Sequence, residues 1–498
     1  MLRKIARDNT TIALLVALLL LGLFVAWQVT RLSGSGTSTH LSIASAVTGS
    51  SGVPATVAAL EGTAVSRPRL PLQRWQTSNG ARVYFVQAPE LPMLDVRVLF
   101  DAGSARDGLD PGLARLTAAM IGEGTPTHSV DEINEGFEAV GAEFSATSYR
   151  DMAVVELRSL TAPELLAPAL ALFTDVVAHP SFPGEEVERI RGQMLVGLER
   201  DEEEPATIAA RSFMAALYMV HPYAMPPEGT VASVRGIRAE DLRNFHQRYY
   251  TARNAVIAIA GAVDRAQATQ IAEMFSTALA AGTPAPELPV PPAPTGGNFH
   301  VKFDSKQTHI LIGLPAIRRN DPDEAALDIA NQVLGGDGLT SLLGEEIRNK
   351  RGLAYSAGSS FRAMRSVGPF SIQMQTRNDA AGEALGVSLE TVRQFAKTGP
   401  TPQQLEDARR QLVGSYPLQL AGNHSIVSTL GTLGFYGLPD DYLEQQLAKI
   451  EKLSAEEVRA AFVRHVPVDR LMVVTLGPDK PVAKVTPPKP GAATRPAQ

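Results

Sequence analysis

One pattern occurs twice in this chain, and it constrains the fold more than any other feature. Residues 94–100 alternate apolar with other side chains, and residues 308–314 repeat the pattern. Met120-Ile121-Gly122 matches Val333-Leu334-Gly335, and Val196-Gly197 matches Val413-Gly414. Ala239-Glu240-Asp241-Leu242 matches Ala455-Glu456-Glu457-Val458, and an apolar run closing on Gly261 recurs as one closing on Gly477. The separation stays almost constant from anchor to anchor, as it does when one structural unit is present in two copies. Between the copies, residues 279–297 are crowded with proline. Proline lacks the backbone N–H that a helix or sheet interior needs, so this segment reads as a semi-rigid linker.

A chain of 498 residues also exceeds what one hydrophobic core serves. The expected fold class is α+β, with two tandem homologous domains at 70–278 and 298–478 and a Pro/Ala-rich disordered tail at 479–498. Alternating apolar positions predict strands at 81–87, 94–100, 153–158 and 255–260. Helical periodicity starts at Gly112, Val130, Ala162 and Pro183, and again over 239–250.

The N-terminus predicts a membrane attachment. Arg3, Lys4 and Arg7 precede an apolar run over residues 12–27, close to the roughly 20 residues that span a bilayer. The positive flank favours a cytoplasmic N-terminus with the remainder exported. No small-x-small cleavage site directly follows the run, since Ala44-Ser45-Ala46 lies well downstream. Residues 1–30 are therefore expected to be a retained transmembrane signal anchor in the inner membrane. Residues 31–69, rich in Ser, Gly, Thr and Ala, are expected to tether a body in the periplasm. A net charge of −6 leaves no basic footprint for nucleic acid. The absence of cysteine excludes disulfides, Cys-based zinc sites and a thiol nucleophile.

Self-contained catalytic motifs are also missing. No two of the nine histidines stand three or four positions apart, so no helix presents a local His pair to a metal. Ser104 and Ser341 neighbour glycines but lack the G-x-S-x-G elbow. The stretch with chemical promise is the second copy's glycine turn, Gly335-Gly336-Asp337-Gly338. It leads into a short amphipathic helix, and Arg348 and Tyr355 stand seven positions apart at a helix-to-strand joint.

Several motifs together resemble the pitrilysin/insulinase family of metallopeptidases. They are Phe100-Asp101-Ala102-Gly103-Ser104, Gly112-Leu113-Ala114, Gly122-Glu123-Gly124-Thr125, His221-Pro222-Tyr223 with Gly229, and Tyr249-Tyr250 with Asn254. In the second copy, Arg348 with Gly352-Leu353-Ala354-Tyr355 resembles the family's C-terminal Arg/Tyr motif. The likeness covers roughly residues 70 to 477. It implies two α/β-roll domains forming half of a metallopeptidase clamshell.

Active members of that family carry H-x-x-E-H on the helix after Gly-Leu-Ala, two zinc ligands and a general base on one helical face. The corresponding positions here are Arg115, Ala118 and Ala119. The third ligand, a glutamate on a later helix, falls near Val196 and Gly197. The resemblance therefore implies a degenerate zinc motif and no metal in this chain. It also implies that Arg348 binds peptide and that the Tyr355 hydroxyl donates to the scissile carbonyl as oxyanion charge develops. Gly335, Gly336 and Gly338 either contact substrate or only permit the turn. On this reading the chain is the non-zinc subunit of a heterodimeric insulinase-like peptidase, with zinc expected in a sister chain and extended peptide as substrate. The alternative is a membrane-tethered peptide-binding or assembly scaffold with no part in catalysis.

Overall fold

The computed structural model describes residues 70–485. The expected anchor and tether and most of the expected tail lie outside the described residues. Among the described residues, no helix is long and apolar enough to cross a membrane.

The first domain runs β1 (Gln73–Gln76), β2 (Arg82–Gln87), β3 (Met93–Phe100), α1 (Leu113–Ala119), α2 (Val130–Ala139), β4 (Glu143–Ser148) and β5 (Ala153–Leu160). It continues through α3 (Pro163–Ala178), α4 (Gly184–Asp201), α5 (Pro205–Tyr218), α6 (Val231–Gly236), α7 (Ala239–Tyr249), β6 (Ala255–Gly261) and α8 (Arg265–Ala278). The second runs β7 (Gly297–Lys302), β8 (Gln307–Ile317), α9 (Glu324–Asn331), β9 (Ala354–Phe361), β10 (Gly368–Arg377) and α10 (Ala381–Thr398). It ends with α11 (Pro402–Ser415), α12 (Asn423–Tyr436), α13 (Tyr442–Lys452), α14 (Ala455–His465) and β11 (Met472–Gly477).

The two sheets have orders β1-β2-β6-β3-β5-β4 and β7-β11-β8-β10-β9. Without β1 they are the same sheet. In each, the first pair is parallel, β2 with β6 and β7 with β11, and the remaining pairs are antiparallel. The repeated sequence anchors occupy equivalent places, with Ala239 and Ala455 opening α7 and α14, and Gly261 and Gly477 closing β6 and β11.

Strand periodicity explains how the halves combine. In β6, Ala255, Ile257 and Ile259 face the first domain's own core, together with Val96, Val98 and Phe100 of β3. The alternate residues Val256, Ala258 and Ala260 point to the opposite face, with Leu99, and are also fully covered. What covers them is α12 of the second domain, through Ile426, Val427, Leu430 and Leu433. The reciprocal holds: Leu311, Val474 and Leu476 of the second sheet are covered by Ala209, Phe213, Leu217 and Tyr218 of α5. Each domain thus lends the equivalent helix to the other's sheet. Strand β6 is consequently buried at all seven positions, which gives the unbroken apolar run seen in the sequence.

A buried polar cluster joins the halves beside these helices. The Tyr223 hydroxyl donates to Asp151, which also accepts from the Arg365 backbone N–H at 2.9 Å and the Tyr436 hydroxyl at 3.2 Å. Arg106 donates twice to Asp101 at 2.8 Å, and Arg365 Nε lies 3.4 Å from the same carboxylate. His221 fixes its loop by accepting the Tyr223 N–H on Nδ1 and donating from Nε2 to the Pro289 carbonyl, at 3.1 and 2.9 Å.

Two local features depart from the sequence reading. The segment after the glycine turn is a π-helical turn, Gly344–Asn349, preceded by another at Gln332–Gly336; neither is the regular amphipathic helix expected. Helix α5 escapes a search for continuous apolar runs, although Pro205 marks its first turn.

The exchanged helix fits closely because small residues meet the sheet. A Cβ on Gly434 would lie 2.5 Å from Val256 Cγ1 and 2.7 Å from Tyr84 Cε2, whereas one on Gly414 of α11 meets nothing within 4 Å. Gly434→Leu is expected to destabilise by about 1–3 kcal/mol through overpacking. Gly414→Ala should stabilise by up to about 1 kcal/mol through helix propensity. Urea denaturation of both variants measures the contrast.

Candidate functional site

The start of α1 is set by a buried carboxylate. Asp107 accepts the N–H groups of Gly112 and Ala114, both at 2.8 Å, and so satisfies donors that a helix N-terminus leaves free. Burial, outweighing these two bonds, pushes its carboxyl up to about 7. With the helix so anchored, Leu116, Thr117 and Ala118 point into the core and Arg115 points out.

Arg115 emerges into a cleft of about 720 Å³ between the two domains. The first domain contributes Arg115, Tyr149, Arg150 and the α5 residues Ala206, Ala210 and Arg211; the second contributes Leu311, Arg362 and Gln373. A depression of about 360 Å³, lined by Tyr355, His309 and Gln375, shares Ala206, Ala210, Leu311 and Gln373 with the cleft. The two form one trough along α5. The fold therefore brings the sequence position Arg115 and the position Tyr355 onto a common surface, although they come from different domains.

Arg348 and Tyr355 are in contact. The guanidinium carbon lies 4.3 Å from the Tyr355 ring centroid, and Nη1 donates to the Tyr355 carbonyl at 3.0 Å. The turn between them closes through Gly352 at φ +61°, a conformation suited to glycine. Arg348 is not drawn into a helix-surface ion pair: Glu346 binds Lys350 at 2.7 Å and also Arg351, and Glu345 accepts from Asn349 at 2.7 Å. The Tyr355 ring is 81 % exposed. Its ring is held by the stacked guanidinium, and its side chain opens to the trough.

The glycines of the turn have packing reasons of their own. A Cβ on buried Gly335 would lie 2.4 Å from the Ser359 backbone nitrogen on β9, and one on Gly336 would lie 2.8 Å from Asn331 Nδ2. Gly338 adopts φ +51°. None of the three lines the cleft or the depression.

The positions expected to match a zinc motif offer no ligand set. Arg115 is a cation, Ala118 is buried, Ala119 is half-buried, and Val196 is 70 % exposed on α4. Neither alanine nor valine has a donor atom, so the residues present do not fit zinc. Among the described residues, Asp321, Asp323 and His465 have potential ligand atoms within 4.8 Å of one another. That cluster is already satisfied: Arg464 donates to both Asp323 oxygens at 3.0 and 2.7 Å, and the two His465 nitrogens face Ala316 O at 2.8 Å and Asp323 at 3.1 Å. Sequence reasoning missed the cleft walls Arg150, Arg211 and Arg362. They are scattered along the chain and share no motif, and only the docking of the domains collects them.

Comparisons with known proteins bear on both halves. The description "Insulinase (Peptidase family M16)" matches residues 82–231, and "Peptidase M16 inactive domain" matches residues 236–412. The crystal structure of a peptidase M16 inactive domain from Pseudomonas fluorescens is 41% identical, with a TM-score of 0.81, covering 84% of this chain and 100% of its own. A protease from Helicobacter pylori shares the fold at a TM-score of 0.75 and 18% identity, covering 82% of this chain and 100% of that one. An uncharacterized zinc protease of Mycobacterium tuberculosis is 29% identical over 415 residues, which are 82% of this chain and 93% of the relative.

Two measurements follow from this geometry. The Tyr355 side chain is largely exposed, so Tyr355→Phe is expected to change unfolding free energy by less than about 0.5 kcal/mol, as read from urea midpoints. Asp107 binds its proton more tightly in the folded chain, at about 7, than at its ordinary value of 3.8. This group therefore lowers stability as pH rises from about 4 to about 7. Asp107→Asn cannot ionise, so its urea midpoint should fall less than that of the wild type over this pH range.

Proposed function

We propose, from the premise that this chain belongs to the insulinase family, peptidase M16, that it is the non-zinc subunit of a two-chain metallopeptidase. The observation that carries the reading is the contrast between the residues around Tyr355 and those around Arg115, which open onto one trough. Half-buried Arg348 holds the exposed Tyr355, which opens to the trough, while Arg115, Ala118 and Ala119 supply neither ligands nor a general base. A sister chain bearing H-x-x-E-H would hold the zinc, whose role is to polarise the peptide carbonyl and activate water. No step of hydrolysis is assigned to a metal in this chain.

The chain's own contribution would be positioning and electrostatics. An extended peptide in the trough would meet Arg348, whose guanidinium can donate to backbone carbonyls. The Tyr355 hydroxyl would donate to the carbonyl oxygen of the scissile bond as negative charge develops there. A donor already in place costs no reorganisation at the moment of reaction. Arg348, held against the ring and the Tyr355 carbonyl, would fix where that hydroxyl sits. The clamshell half expected from the sequence would close on the sister chain to shield the peptide from water. The N-terminal segment would tether the assembly to the inner membrane with its body in the periplasm.

Mixing this chain with a zinc-motif sister chain is expected to give peptidase activity that neither shows alone. In the mixture, Tyr355→Phe should lower kcat by about 10²- to 10³-fold, and Arg348→Ala should also raise KM. An unchanged rate in the double replacement would refute the catalytic role and leave a tethered peptide-binding scaffold as the better description.

A further inference from the structure

A second cavity, of about 440 Å³, lies in the second domain, bordered by α9, the end of α11, α12 and α13. Neither Arg348 nor Tyr355 lines it, it meets the cleft only at Arg362, and the proposed function makes no use of it. Its walls mix apolar side chains, Leu327, Leu433, Leu447 and Ile450 among them, with a nearly equal share of polar ones. Set into these walls is a carboxyl group without a partner. Asp328 of α9 opens onto the cavity, and no hydrogen bond or ion pair reaches it. Burial, with the nearby Glu324 adding to it and Arg319 opposing, raises its carboxyl to about 7. Glu324 itself is fully engaged: it pairs with Arg319 and accepts from the Tyr442 hydroxyl at 2.6 Å and the Asn320 N–H at 3.2 Å.

The wall also carries Arg319 and Arg362, and several of its neutral polar groups offer acceptors. Gln446 Oε1 is buried with no partner. The Thr432 and Ser415 hydroxyls already donate to the Ser428 and Leu412 carbonyls at 2.9 and 3.0 Å, so toward the cavity they offer lone pairs. Arg319 Nε is an unmet donor there, but the charge of its guanidinium is answered by Glu324. Asp328 is accessible from the cavity, whereas Gln446 Oε1 is a buried acceptor of the kind that folded proteins normally satisfy. A group that brought several N–H donors and one positive charge would satisfy Asp328 and Gln446 together.

We infer that this cavity binds a primary ammonium group carried on an apolar stem, with Asp328 as counter-ion and Gln446 Oε1 as second acceptor. Such a group belongs to a lysine side chain, a peptide amino terminus or a small alkylamine. The inference stands apart from the zinc-partner reading, because it concerns a different cavity and needs no sister chain.

Isothermal titration of the purified full chain near neutral pH tests it. The probes are hexylamine, Nα-acetyl-lysine amide, leucine amide and the uncharged hexan-1-ol. Binding of at least one amine, about tenfold or more tighter than the alcohol, supports the assignment, and the ranking of the lysine and leucine compounds tells side chain from amino terminus. Asp328→Asn, of nearly the same shape, should weaken the amine by at least about tenfold while the far-ultraviolet circular dichroism is unchanged. Leu447→Phe, which narrows the cavity, should weaken every probe that binds there. The inference is overturned if hexan-1-ol matches the amines, if a folded Asp328→Asn binds as the wild type does, if Leu447→Phe leaves amine affinity intact, or if no amine binds by about 10 mM.

Discussion

The structure depends on a reciprocal loan. Each sheet has two apolar faces, and the domain that owns it covers only one. The second face is closed by a helix from the other half, α12 on the first sheet and α5 on the second. Separated, each domain would expose a face of Val, Ala and Leu side chains several strands wide, and at roughly 25 cal/mol per Å² such exposure is expensive. The domains are therefore joined by their cores, and the proline-rich segment between them connects two bodies that are already interlocked.

That interlocking creates the trough. Helix α5 lies on the second sheet but belongs to the first domain, so its exposed side faces both Arg115 and the strand ends that carry Tyr355. The polar cluster of Asp101, Arg106, Asp151, Tyr223, Arg365 and Tyr436 lies at the same junction. Buried carboxylates with several donors each are sensitive to geometry, since removing one partner leaves a charge uncompensated. The apolar exchange supplies adhesion, and this network fixes how the halves sit. If the surface presents the Tyr355 hydroxyl to a substrate carbonyl, as proposed, it gains from both, because a small displacement of a catalytic donor weakens its effect.

Within the site, the two domains differ locally. On α1 the helix is intact, its N-terminus is satisfied by Asp107, and its inner face packs as a core helix should. The resemblance puts outward Arg115, buried Ala118 and half-buried Ala119 where a zinc helix would carry its ligands and base. In the second domain the equivalent region is remodelled into π-helical turns, which bring Arg348 over the ring of Tyr355. The glycines nearby, expected either to touch substrate or to permit a turn, have immediate neighbours: Gly335 presses on β9 and Gly336 on Asn331.

The sequence by itself determined the duplication and the mixed helix and strand content, and its resemblance to the family singled out Arg115, Ala118 and Ala119 as the expected zinc-motif positions and Arg348 and Tyr355 as the expected Arg/Tyr motif. These are properties of periodicity and of residue identity at fixed spacing, which a linear reading preserves. It did not reveal that α5 and α12 change places, that Arg150, Arg211 and Arg362 line one cleft, or that Asp328 opens onto a cavity with nothing to bind it. An apolar helix face is the same string whichever sheet it covers, and an aspartate in a helix reads as solvated until its neighbours are known. Those outcomes rest on contacts between residues distant in sequence, and only the packing of the two domains decided them.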